Sequence, residues 1–256
     1  AKHLKDGEKS QLRVVVCGRN RLENGSAIAW ARAFAQHRGI TEVSLYQNGI
    51  RMEGVRALCE GLSDCKDLEV LNLQDNTATL RGSRSVAKAL PNWPHLRTLN
   101  LSDCLLKSKG GSLLFESLSM GRNKKLTTLH LQYCDLNRDA LHKLGHAIEH
   151  HLSELKTLEI NGNFADVDDD CISKIAASLE KWGHSEALDE LDEMDPEGEE
   201  DEEGGNAAEE LDVGCRDPPV RGDRGDLHER EQDADRGDRR DDRVPLEGAH
   251  HDEELG

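Results

Sequence analysis

The sequence predicts an α/β solenoid in which strand–helix units stack side by side, parallel strands lining the inside of a horseshoe and helices its outside. Three observations carry that prediction. Six segments of the 256-residue chain repeat at a near-constant period. Within each, apolar residues alternate through the first half, and they recur every three or four residues through the second.

The segments are LRVVVCGRNRL from Leu12, ITEVSLYQNGI from Ile40, LEVLNLQDNTA from Leu68, LRTLNLSDCLL from Leu96, LTTLHLQYCDL from Leu126 and LKTLEINGNFA from Leu155. Their starts are separated by 28, 28, 28, 30 and 29 residues. Each fits LxxLxLxxN/CxL, the leucine-rich-repeat signature, and the period is that of the long, ribonuclease-inhibitor-like class. Residues 12–183 are therefore read as six leucine-rich repeats.

Each repeat opens with a strand, because alternate side chains of a strand point to opposite faces. Val15 and Cys17, Val43 and Leu45, Leu71 and Leu73, Leu99 and Leu101, Leu129 and Leu131, and Leu158 and Ile160 are expected in the core. Val16, Ser44, Asn72, Asn100, His130 and Glu159 form one row of the open concave sheet. Next come Asn20, Asn48, Asn76, Cys104, Cys134 and Asn163, which are expected to turn the chain and hydrogen-bond neighbouring backbone inside the stack. The stretches SAIAWARAF, EGVRALCEGL, GSRSVAKAL, GGSLLFESL, DALHKLGHAI and CISKIAASL follow as helices, with starts rich in Gly, Ser or Asp. Gly110 and Gly111 are read as the turn into the fourth helix.

A solenoid must cover its terminal apolar faces. EKWGHSE and the acidic run beyond it are candidates for the C-terminal cover. At the other end only the polar stub 1–11 precedes Leu12, so the face carrying Leu12, Val15, Cys17, Trp30 and Phe34 is expected to be uncovered. That face and the absent initiator Met point to a fragment with repeats missing upstream.

Charge divides the chain. Residues 1–183 carry 25 Lys plus Arg against 22 Asp plus Glu, and residues 184–256 carry 8 against 29, which together give the net −18. The fourteen acids of residues 184–210, with no Lys or Arg among them, predict a disordered tail. Such a tail attracts a basic partner or simply solubilises the chain. Residues 211–256 turn to Arg, Gly and Asp, a composition that also matches a GC-rich message in a shifted reading frame. They hold three RGD tripeptides at Arg221, Arg224 and Arg236, but integrin binding requires an extracellular protein. The seven cysteines argue against that: they are odd in number, include no CxxC, and mostly stand where an apolar residue would serve, as reduced core thiols of an intracellular protein do. No signal peptide and no membrane span is read in the sequence.

Little in the sequence suggests chemistry of its own. His142, His146 and His150 share one face of the fifth helix, but HKLGH lacks the Glu of a metalloprotease HExxH, and a solvated helical face is the plainer reading. There is no phosphate-binding GxxxxGK[ST] loop and no GxSxG elbow. A nearly neutral repeat region, an acidic tail and 3% aromatic residues do not suit nucleic acid. What remains is a binding surface. Arg19 and Arg21 flank Asn20 where the first strand turns towards its helix, with Asn24 just beyond, Gln47 and Asn48 in the second repeat, and Gln74 and Asp75 in the third. An arginine fork recognises phosphate or carboxylate bidentately, so this rim is either a grip for a charged partner or a solvated loop.

The ordered succession CGRNRLENGS, QNGI with EGV, LQDNTAT, WPHLRTLNLSDCLL, LQYCDL, LEINGN and ALDELDEMD with its acidic run resembles the Ran GTPase-activating proteins, especially the fungal form, over residues 12 to about 203. The resemblance implies an activator without cofactor, metal or nucleotide site of its own, which docks on Ran bound to GTP and promotes hydrolysis there through positioning and charge stabilisation. It implies a monomer in the cytoplasm and at the cytoplasmic face of the nuclear envelope, supporting nucleocytoplasmic transport, with a Ran-binding protein as a further partner. The family's activating arginine and an asparagine of its active complex lie upstream of GRNRLENGS, so no residue here inherits either role. Arg19, Asn20, Arg21 and Asn24 carry over as Ran-facing or rim-organising residues, Asn24 also being read as part of the Asn-Gly-Ser cap of the first helix. The rival reading is a leucine-rich-repeat scaffold that binds a partner without affecting GTP hydrolysis.

Overall fold

The computed structural model describes residues 12–198. The polar stub, the RGD tripeptides and the reading-frame question lie outside them.

Six three-residue strands, β1 (Val14–Val16), β2 (Glu42–Ser44), β3 (Val70–Asn72), β4 (Thr98–Asn100), β5 (Thr128–His130) and β6 (Thr157–Glu159), form one parallel sheet in chain order. Val14, Glu42, Val70, Thr98, Thr128 and Thr157 align across it, so the spacing read from the sequence is the register of the sheet. Between strands run α1 (Glu23–Phe34), α2 (Met52–Gly61), α3 (Thr79–Ala89), α4 (Lys107–Leu118) and α5 (Arg138–His151), and α6 (Asp170–Lys181) follows β6. The expected inward residues of the strands are buried between sheet and helices, except Cys17, which is half-buried. A fully buried leucine contributes roughly 1.5–3 kcal/mol.

The face of the first repeat is only partly open. Val14 and Val16 are 52% and 59% exposed, whereas Val15 and Phe34 lie in the core. Their burial corrects the expectation, and one reason is local: the Trp30 ring stacks on Phe34 at 5.6 Å and shields it.

The asparagine ladder forms as expected. Asn76 Oδ1 accepts from the amides of Asn48 (3.2 Å) and Ile50 (2.9 Å), while its Nδ2 donates to the carbonyls of Leu45, Leu73 and Gln74. Asn163 does the same between the fifth and sixth repeats. At Cys104 and Cys134 a thiol replaces the amide and donates to Leu73 O (3.1 Å) and Leu101 O (3.2 Å). Burial pushes the Cys104 thiol up to about 12 and the Cys134 thiol well above its ordinary value, so both remain protonated donors at neutral pH.

The helix starts differ from expectation. α1, α3 and α4 begin three residues early, which places Gly82 inside α3 rather than at its start, and Gly110 and Gly111 inside α4 rather than at the turn into it. Packing explains these glycines. A Cβ on Gly110 would stand 2.7 Å from Ser83 Oγ, and one on Gly111 would stand 2.3 Å from Leu136 Cδ2.

Residues 184–198, expected to belong to a disordered tail, are instead a strap over the last repeat. Leu188 bridges Leu158 of β6, and the Asp189 amide donates to Leu158 O (3.0 Å). Asn161 Nδ2 donates to Asp192 Oδ1 (2.8 Å), the Asp195 amide to Asn163 O (2.9 Å), and the Tyr133 hydroxyl to Glu193. Ala187 is buried, and Leu188, Leu191 and Met194 pack against the core. The strap is acidic in composition yet ordered because every third or fourth residue is apolar and β6 offers it a free edge. Replacing Leu188, Leu191 and Met194 together by serine should lower hydrogen-exchange protection in β6 and α6 while leaving β2 and α2 unchanged, because each repeat is stabilised by its neighbours. Equal loss in all repeats would show that the strap is no local cover.

Candidate functional site

Past each strand the chain passes through a left-handed residue: Arg19, Gln47, Asp75, Asp103 and Tyr133 have φ between 52° and 60°, and Gly162 has 73°. A non-glycine residue there costs of order 1 kcal/mol or more, and the cost is met by a repeated bond to the next repeat. The amides of Arg19, Gln47, Asp75, Asp103 and Tyr133 donate to Tyr46 O, Gln74 O, Ser102 O, Gln132 O and Asn161 O, at 2.8–3.0 Å. Because every repeat adopts this kink, it belongs to the fold. Its consequence is a row of side chains along the rim, one from each repeat.

The rim holds a depression of about 380 Å³, bounded by Arg21 at one end and by Asp103 and Leu105 at the other, with Gln47, Asp75 and Thr77 between. Arg19, Arg21 and Gln47 are exposed and Asp75 is half-buried. These four sequence-predicted residues remain open to a partner.

The other four are committed to the fold. Asn48 is 1% exposed, donates to Cys17 O and Tyr46 O, and accepts from the Asn20 amide, so it is a buried ladder residue in the floor of the depression. Asn20 is the outermost rung, exposed, with its Nδ2 donating to Gly18 O at 2.5 Å. Asn24 does not cap its own helix, which already starts at Glu23. Its Oδ1 accepts from the amides of Arg51 (2.8 Å) and Gly54 (3.2 Å), capping α2 of the next repeat. Gln74 faces the concave sheet, where its Oε1 accepts from Asn100 Nδ2 (3.4 Å).

The concave surface is largely self-satisfied. The Ser102 amide donates to Asn100 Oδ1, the Gln132 amide to Ser102 Oγ, and His130 Nδ1 lies 2.6 Å from Glu159 Oε2. The rim, by contrast, leaves Arg19 and Arg21 exposed to solvent. Sequence reading missed Asp103 and Leu105. They stand 28 residues after Asp75 and Thr77, so following the column one repeat further would have found them.

The histidines of α5 turn outward. His142 Nε2 lies 3.1 Å from Asp170 Oδ1, the His146 and His150 rings stack at 4.3 Å, and His150 Nδ1 sits 2.9 Å from His146 O. No group of three or more His, Cys, Asp or Glu among the described residues is arranged to hold a metal ion, and no helix among them is long and apolar enough to cross a membrane.

A Leucine Rich repeat family model matches residues 94–115 and 122–144. The chain is similar to Ran GTPase-activating protein 1 of Saccharomyces cerevisiae, 39% identical over 185 residues, which is 70% of this chain and 46% of that protein. It is also similar to Ran GTPase-activating protein of Drosophila melanogaster, 42% identical over 66 residues, 26% of this chain and 11% of that protein. The chain thus spans less than half the length of either relative. Among solved structures, a Caenorhabditis elegans tropomodulin C-terminal domain matches with a TM-score of 0.48 at 16% identity, covering 71% of this chain and 90% of that one.

Proposed function

The chain is a leucine-rich-repeat relative of the Ran GTPase-activating proteins, and from that premise we propose that it docks on GTP-bound Ran through the rim of its first four repeats and promotes GTP hydrolysis there. The observation that carries this reading is the yeast relative's similarity over 185 residues. The rim depression, with Arg21 at its mouth, supplies an open surface. In this reading nucleotide and magnesium belong to Ran, and the chain contributes position and charge. The activity belongs to the cytoplasm, where it supports nucleocytoplasmic transport. The resemblance to the fungal proteins assigns the activating arginine to none of residues 12–198, so the role proposed for these residues is foremost docking.

The test is single-turnover hydrolysis of Ran-bound GTP with the chain in large excess, together with direct measurement of association. Association that Arg21→Ala weakens about ten-fold is expected, as for loss of a charged interface contact. Acceleration as well would place a sufficient activating surface on this chain. Folded protein that neither associates nor accelerates would overturn the reading and favour a scaffold for some other partner.

A further inference from the structure

The fourth and fifth repeats are 30 and 29 residues long, against 28 in the first three. The added residues fall on one edge of the solenoid, where each helix leads into the next strand, opposite the kinked rim. Pro91 and Asn92 join Leu90 to Trp93 in the third repeat, whereas Ser119, Met120, Gly121 and Arg122 join Leu118 to Asn123 in the fourth. Trp93 and Asn123 are equivalent anchors. Trp93 Nε1 donates to Leu62 O (2.9 Å), and Asn123 Nδ2 donates to Leu90 O (2.9 Å) and Trp93 O (3.0 Å). The third repeat closes this corner with two residues, so the fold does not require the longer loop, and loops are where binding residues concentrate.

The loop is anchored at its base and turned outward at its tip. Asn123 is fully buried, and Gly121 takes φ 67° with the His151 ring against it, Nδ1 lying 2.8 Å from where a Cβ would stand. Met120 is 65% exposed. Charge sets this corner apart as well. On the same edge in earlier repeats Arg38 meets Asp64 at 3.4 Å, His95 meets Asp67 at 3.7 Å and Arg97 meets Glu69 at 3.6 Å. Arg122, Lys124, Lys125 and, from the next repeat, Lys156 are exposed, and their side chains form no ion pair or hydrogen bond among the described residues. Glu154, in the next loop, pairs with none of them. Burial first, and then His150, His146 and Lys124, hold the His151 ring below its ordinary value, so the corner is short of negative charge.

We infer that this edge is a second docking surface, on which Arg122, Lys124, Lys125 and Lys156 receive the carboxylates of an acidic segment of a partner protein while Met120 receives an apolar residue beside them. Cations spread over two repeats match a chain of successive carboxylates better than a single phosphate. No aromatic ring stands in the loop to stack a base, and one exposed methionine gives a bilayer little to hold. The acids of the strap are fastened to the opposite edge, Asp192 to Asn161 and Glu193 to Tyr133, and do not fill this one. The inference is independent of the Ran-docking reading, which uses the kinked rim.

The experiment measures binding of a fluorescently labelled glutamate peptide with one central leucine to the full chain, by anisotropy at low and at physiological salt. Binding at low salt that weakens as salt rises is expected. Arg122→Gln with Lys124→Gln and Lys125→Gln should weaken it by about ten-fold. Met120→Ser should weaken it by about three-fold, and Arg56→Gln, on the outer face of α2, should leave it unchanged. Bound peptide should also raise the His151 pKa in an NMR titration, which a purely structural loop would not show. Glutamine leaves Gly121 and Asn123 in place, so the triple variant keeps the fold, as circular dichroism will verify. No binding, or binding that the triple variant retains, overturns the inference. Equal loop-dependent binding of polyuridylate or of phosphatidylserine vesicles overturns it in favour of a general polyanion surface. Binding that appears only once the acids at 199–203 are changed to amides overturns it too, because the occupant is then this chain itself.

Discussion

Asn76→Ala is expected to destabilise the protein by about 3–5 kcal/mol, seen as a fall in the midpoint of equilibrium urea unfolding. The Asn76 side chain is 4% exposed and serves five backbone groups, accepting from two amides and donating to three carbonyls in two neighbouring repeats. Alanine supplies none of these bonds. Water has little access to the vacated space, and each orphaned buried group costs roughly 1–3 kcal/mol. Asn20→Ala is the control, since Asn20 is exposed and ends the same ladder, and its loss should stay within about 1 kcal/mol. Equal losses at the two positions would show that the ladder asparagines act through local turn propensity rather than by joining repeats.

Gly61→Ala should be nearly as damaging, at about 3 kcal/mol, for a steric reason. Gly61 closes α2 against α1, and a Cβ there would stand 2.3 Å from Ala31 O and 2.8 Å from Ala31 C and Cα. Those are backbone atoms of a neighbouring helix and cannot rotate away, so the two helices must separate along their whole contact. Gly25→Ala, in α1 with nothing within 4 Å of the added carbon, should instead stabilise by about 0.5–1 kcal/mol through helix propensity. Thermal unfolding of the two variants checks the pair, and a stable Gly61→Ala protein would contradict the close approach of α1 and α2.

The two predictions differ in how far the sequence foresaw them. Asn76 was readable as a buried ladder residue, because its place after Leu71 and Leu73 repeats at Asn48 and Asn163. Gly61 was not, because a helical glycine looks like a defect until the neighbouring backbone is seen. The same blindness misread Gly110 and Gly111 as a turn. Asn24 reads in sequence as a cap of its own helix, whereas the amides it accepts from belong to the next repeat.

Residues 184–198 make the point from the other direction. Their composition reads as a solvated tail, and the charge is real, yet Leu188, Leu191 and Met194 recur at intervals that fit the edge of β6. Composition averages over a segment, whereas docking depends on which few residues meet a surface. That surface exists only once the sixth repeat has folded.

The sequence by itself determined the number of repeats, the register of the sheet, the inward leucines and the ladder, because each follows from a local pattern repeated six times. Only the tertiary structure decided where the helices begin, which glycines are packing contacts, how far the cover of the last repeat extends, and which rim charges stay unpaired. These depend on atoms about thirty residues apart in sequence and in van der Waals contact in space, a distance over which no local pattern carries information.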